Sequence, residues 1–135
     1  MADTPPTGFP VVAGAGSLRG DPASGWTVPH DWTPDGVVVA GDGNGAAVLH
    51  LSVALCVLND IFREGEALGV PVVGVRVRAD GTFDRGSWVS TGVVYAVEVD
   101  SPASPDEVAK VLDRVDEVAE IPRVLRAGMS VERAR

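Results

Sequence analysis

From Ala46 to Phe62 the chain sets an apolar residue at nearly every position, Ala46-Ala-Val-Leu-His-Leu-Ser-Val-Ala-Leu-Cys-Val-Leu-Asn-Asp-Ile-Phe. Apolar side chains around almost the whole circumference predict a helix buried centrally rather than one laid on a surface. Asn44-Gly45 ahead of the run and Gly69 behind it place the helix from there to about Leu68, because glycine takes the left-handed turn that ends a helix. Beyond it, residues 70–79 alternate, with Val73, Val75, Val77 and Ala79 on one face and Gly74, Arg76 and Arg78 on the other. This predicts a strand with one wet face. Asp80-Gly81 reads as a turn, and residues 91–100 as a second strand carrying Val93, Tyr95, Val97 and Val99 on one side. The two strands make an antiparallel hairpin with a long connection.

Ahead of the long helix, short β-like pieces at 9–13, 25–28 and 37–40 stand among breakers. Thr33-Pro34-Asp35-Gly36 has Pro and Gly where a tight turn needs them. Near the other end, Ser104-Pro105-Asp106-Glu107 offers an N-cap, a first-position proline and a capping-box glutamate. Val108, Val111, Leu112, Val115, Val118 and Ala119 then recur at helical spacing, and Pro122 reads as the stop. Met129-Ser-Val-Glu-Arg predicts a short closing strand. The order is that of an α+β protein: an antiparallel sheet, a long central buried helix and a second amphipathic helix, in a single domain over residues 1–135.

Composition narrows the function classes. A formal charge of −8 and no basic cluster with interleaved aromatics argue against nucleic acid as a partner. Met-Ala-Asp-Thr-Pro-Pro has no basic segment followed by an apolar one, so no secretory signal is read there. His50, Ser52, Asn59 and Asp60 interrupt the apolar run short of the ~20 residues of a membrane span. The expectation is a soluble cytoplasmic protein with no membrane contact, and a single Cys fits a reducing compartment.

That Cys, Cys56, is where chemistry is sought. Ser52, Asn59, Asp60 and Arg63 share its helix face at three, four and seven positions. A nucleophilic thiol needs a nearby cation, a helix N-terminus or a base. Cys56 lies three turns into the helix, beyond the help of its dipole, and Asp60 opposes ionisation. A packed structural thiol is the plainer reading. Arg19, the first basic residue in the chain, is either a solvated turn residue or a cation folded over the long helix toward Cys56. His30 and His50 are too few and too far apart for a metal site with one Cys, so no metal and no cofactor are expected. Gly41-Asp-Gly-Asn-Gly45 lacks the Lys-Ser/Thr of a phosphate loop and reads as a turn. Trp26, Trp32 and Phe9 line an apolar pocket or supply core.

Three segments resemble the OsmC/Ohr family of osmotically induced and organic-hydroperoxide-resistance proteins. They are Asn44 to Asp60 with its Cys56, Thr91-Gly-Val-Val-Tyr-Ala-Val-Glu-Val-Asp-Ser-Pro-Ala-Ser-Pro-Asp-Glu, and Val115-Asp-Glu-Val-Ala-Glu-Ile-Pro-Arg-Val-Leu-Arg-Ala-Gly. The resemblance spans roughly residues 40–132 and implies an intertwined homodimer, with the long helices central and active sites at the subunit interface. It gives Cys56 the place of the peroxidatic thiol and Arg19 that of an N-terminal arginine. The resolving Cys of the family falls at or beside Ile121, before Pro122, and its glutamate at about Ala46; both groups are missing. A sulfenic acid on Cys56 therefore needs an external thiol. Two functional readings follow. One is single-thiol reduction of organic hydroperoxides by Cys56 with Arg19, a role in oxidative stress. The other is a repurposed pocket that binds or transforms a small hydrophobic molecule without redox chemistry, with Asp60, Arg63 or a histidine as acid, base or anchor.

Overall fold

Asn44 begins the long helix by turning its side chain back to accept from the Ala47 amide, 2.9 Å away, and Gly69 ends it in the left-handed conformation at φ 70°. The computed structural model describes residues 8–135, so the reading of the first six residues lies outside it. In chain order it has β1 (Val11–Gly16), a 3-10 turn (Pro22–Ser24), β2 (Trp26–Val28), β3 (Val37–Ala40) and α1 (Gly45–Leu68). Then follow β4 (Gly74–Phe83), β5 (Ser90–Asp100), α2 (Pro105–Val118), α3 (Glu120–Leu125) and β6 (Val131–Arg133).

The strands form one six-stranded sheet in the order β2-β3-β1-β4-β5-β6. All neighbours are antiparallel except β5 and β6, which run parallel because α2 and α3 form the crossover between them. The α+β architecture with a long central helix and a second amphipathic helix is as the pattern predicts. Alternation sends Val11, Ala13, Ala15, Val75, Val77, Ala79, Val93 and Tyr95 to the helix side, where Val53, Ala54, Val57, Leu58 and Ile61 of α1 bury against them. Tyr95 is buried, and its hydroxyl donates to Asp116 of α2 at 3.2 Å. Arg133 of β6 donates to the same carboxylate at 2.7 Å, fastening α2 to the end of the sheet.

Two local signals proved to be something other than turns or stops. β4 runs straight through Asp80-Gly81, and Gly81 pairs with Val93. Asp80 instead accepts from the Phe9 and Gly81 amides, at 2.9 and 2.7 Å. Gly81 is needed because a Cβ there would overlap the Gly92 carbonyl oxygen and press on the His50 ring. The turn lies further on, where Asp84 accepts from the Gly86 and Ser87 amides and holds Trp88 at φ 60°. Likewise α2 stops at Val118, before Pro122; Ala119 is extended, and Pro122 sits in the first turn of α3, where its missing N–H costs nothing. The capping box at Ser104 and Glu107 is formed as read. Trp26 is exposed, whereas Phe9 and Trp32 pack against the core.

Taken by length and composition, α1 is long and apolar enough to cross a membrane, in spite of its interrupting polar residues. Half of its most apolar stretch is buried against the rest of the chain, which is the situation of a core helix.

Gly81→Ala is expected to cost about 1–3 kcal/mol through overpacking against β5 and His50. Gly128→Ala meets open space and is expected to be near neutral. Urea unfolding of the two variants checks this, and equal midpoints would contradict the close approach at Gly81.

Candidate functional site

The side of α1 turned from the sheet carries Val48, Ser52, Leu55, Cys56, Asn59 and Arg63 at three-and-four spacing, a stripe the single chain leaves partly open. Val48 is 57% exposed. Ser52 spends its hydroxyl on the Leu49 carbonyl one turn back, at 2.6 Å. One turn beyond, the Cys56 thiol lies 4.0 Å from an Asp60 carboxylate oxygen. Asp60 is fully buried, and burial raises its pKa. Arg63 opposes that shift from 3.1 Å, and Asn59 donates to the same carboxylate at 3.4 Å.

The break at Ala119 turns the start of α3 toward this stripe. It brings the Ile121 and Glu120 amides near the thiol, where both favour its anion, and sets the Glu120 carboxylate in the same cluster. Ile121, the position the resemblance gives to a resolving Cys, is thus in contact with Cys56 through its backbone. Burial nevertheless pushes the thiol up to about 11; the Ile121 amide works against that rise, and the Asp60 and Glu120 charges add to it. Near neutral pH the sulfur is a protonated thiol. Among the described residues, the cation at hand is committed to carboxylates: Arg63 bonds Glu64 at 3.0 Å, pairs with Asp60 at 3.1 Å and reaches Glu120 at 3.9 Å.

Cys56, Asp60 and Glu120 place three possible metal-ligand atoms within 4.8 Å of one another. Arg63 already supplies positive charge to both carboxylates, so the grouping is charge-compensated by the chain's own guanidinium.

Of the residues singled out in the sequence, Cys56 and Asp60 come together and Arg19 does not join them. Leu18 and Arg19 fold back over Gly14, whose outward face has no side chain to hold them off. Arg19 donates to the Asp35 carbonyl at 3.3 Å and lines a cavity with Arg76 and Arg78 on the sheet face away from α1. Within one chain, Arg19 and Cys56 stand on opposite sides of the sheet.

His30 was not assigned a place by the sequence reading. It packs edge-on to Phe62 at 5.3 Å, bonds Thr33 at 2.9 Å and lies beside Asn59, with burial lowering its pKa. Nothing local betrays that contact, which spans residues 30 to 59. Glu120, also unassigned, was open to inference from its place next to Ile121. His50 is fully buried on another side of α1, bonded to the Phe9 carbonyl at 2.8 Å and stacked on Phe83.

No family model matches the chain, and no curated protein matches it by sequence. Among solved structures it superposes on an OsmC-like protein from Mycoplasma pneumoniae with a TM-score of 0.60 and 15% identity, over 76% of this chain and 89% of that one. A second, from structural genomics, matches with a TM-score of 0.57 and 16% identity, over 74% of this chain and 81% of that one. The chain has the OsmC-like fold, with one Cys in its whole length.

Alkylation of Cys56 by iodoacetamide in the native chain is expected to rise with a midpoint near pH 11, against 9.0 for an ordinary thiol. Asp60→Asn removes a negative charge 4.0 Å from the sulfur, lowering that midpoint. The rate at neutral pH then rises, on the order of several-fold. An unchanged rate profile would remove the carboxylate from control of the thiol.

Proposed function

We propose that this OsmC-like chain acts on a small hydrophobic molecule in a pocket completed between two copies along the open stripe of α1, without thiolate-based redox chemistry. The observation that carries the reading is the set of charges around the thiol: Cys56 lies beside Asp60 and Glu120, and the Arg63 guanidinium is held by carboxylates. A peroxidatic cycle begins with a thiolate, and these surroundings favour the neutral form. Asp60, buried and with a raised pKa, is the group placed to hold or move a proton, while Arg63 positions its carboxylate. Leu55 and Val48 supply apolar lining, and their partial exposure supports a covering second copy in an intertwined homodimer. The half-buried apolar helix supports a soluble protein, and a single Cys is in keeping with a reducing, cytoplasmic setting.

A second reading keeps Cys56 as a one-thiol hydroperoxide reductase. The Ile121 and Glu120 amides favour it, since both donate toward the sulfur and stabilise its anion. In the repurposed reading, wild type and Cys56→Ser consume cumene hydroperoxide equally slowly at pH 7 with dithiothreitol present. Turnover by wild type that disappears in Cys56→Ser would establish the peroxidase instead.

Sedimentation of the wild-type chain is expected to give a dimer, and Leu55→Glu, which sets a charge on the open stripe, to shift it to monomer without unfolding it. A wild-type monomer at all concentrations would remove the shared pocket.

A further inference from the structure

The sheet face turned from α1 is not the plain wet face that Arg76 and Arg78 advertise. The chain has 11 basic residues against 19 acidic ones, yet three of the basic ones, Arg19, Arg76 and Arg78, line one cavity of about 180 Å³ on this face. β4 supplies two of them because residues 76 and 78 both point outward. Gly14, opposite Arg76 in the register, supplies the third by letting the Leu18–Arg19 backbone settle onto it.

These guanidiniums are compensated only in part within the cavity. Glu98 pairs with both Arg78, at 2.7 Å, and Arg76, at 3.5 Å. Arg76 and Arg19 spend other donors on the neutral carbonyls of Leu18 and Asp35. Asp21 also borders the cavity and keeps its negative charge while accepting from the Ala23 amide. Three guanidiniums thus face two carboxylates, Glu98 and Asp21, of which Glu98 is the ion-paired one among the described residues, in a recess where a carboxylate anion finds charge-assisted donors.

A groove of about 570 Å³ adjoins the cavity, and Val12, Ala40 and Arg78 line both. Its walls are apolar apart from Arg78 and Asp80, whose carboxylate accepts from the Phe9 and Gly81 amides, and Val94 is left 54% exposed on it. The register sets Ala40, Val12, Arg78 and Ala96 side by side on four adjacent strands, a row spanning ~14 Å. An apolar trough that ends in guanidiniums matches a molecule with an apolar body and one anionic end. A bare phosphate would leave the trough empty, and a neutral lipid would leave the arginines unanswered.

We propose that this outer face is a binding site, separate from the Cys56 stripe, for a small amphipathic carboxylate such as a medium-chain fatty acid. Its carboxylate is held by Arg19, Arg76 and Arg78, and its chain lies over Val12, Val94 and Ala96.

Octanoate titrated into the full chain, followed by calorimetry and by amide shifts in NMR, tests the site. Saturable binding is expected, with shifts on the outer row at Val12, Val94 and Ala96 and not along α1. Arg78→Gln, at a 61% exposed side chain, and Arg19→Gln are each expected to weaken binding ~10-fold while leaving the melting curve in place. Neutral 1-octanol and inorganic phosphate are each expected to bind at least ~10-fold more weakly than octanoate. Four results overturn the proposal: no saturation by ~10 mM octanoate, wild-type affinity in both arginine variants, phosphate or octanol matching octanoate, or shifts confined to α1. The last would place the ligand in the pocket of the preceding reading instead, so the two sites are told apart by one spectrum.

Discussion

Everything in this fold answers to the need to cover α1. Twenty-four residues of mostly apolar helix cannot face water on all sides, and a single sheet covers only one side. The strands beneath it are built for close approach, with Ala13, Ala15 and Ala79 among the buried valines of β1 and β4. The crossover through α2 and α3 closes a second side and brings Ala119 and Pro122 into buried positions. What remains is a stripe along Val48, Ser52, Leu55 and Asn59. Cys56, Asn59 and Arg63 lie on that stripe with Asp60 beside it, and the fully buried polar groups, Asp60 and His50, are each held by a partner, Arg63 and the Phe9 carbonyl.

Burial of Asp60 then sets the character of the stripe. An ionised carboxylate with no exposed surface needs a partner, and Arg63, one turn along, meets it at 3.1 Å. That pairing uses the cation a reactive thiol would want. With Glu64 and Glu120 also drawing on Arg63, negative charge outweighs positive around the sulfur. The Ile121 and Glu120 amides push the other way without winning. The thiol and the Asp60 carboxylate compete for the same positive charge, and the carboxylate holds it.

Much of this was legible in the sequence, for identifiable reasons. The α1 bounds rest on Asn44 and Gly69, and the α2 start on Ser104 and Glu107, all of which act within a few residues of themselves. The Cys56–Asp60 contact is likewise local, one helical turn apart. Errors arose where a local signal had a distant cause. Asp80-Gly81 has turn composition, but its glycine serves the approach of β5 and His50, and its aspartate serves Phe9. Pro122 has the composition of a helix stop, whereas it lies in the first turn of the next helix. His30 reaches Asn59 only through the tertiary fold, so no spacing rule could have found it.

Arg19 shows how small the deciding feature can be. Both of its possible destinations were physically reasonable: over α1 toward the thiol, or out over the sheet. The chain leaves β1 at Gly16, at φ 63°, and turns back onto the outer side because Gly14 offers no side chain there. A residue of any size at position 14 would meet the Leu18 carbonyl and force the return path away. The same glycine that removes Arg19 from the Cys56 face gathers it with Arg76 and Arg78. A strand face that is wet from its arginines therefore gathers three guanidiniums in one recess beside Val12, Val94 and Ala96, an arrangement that simple solvation of a sheet does not require.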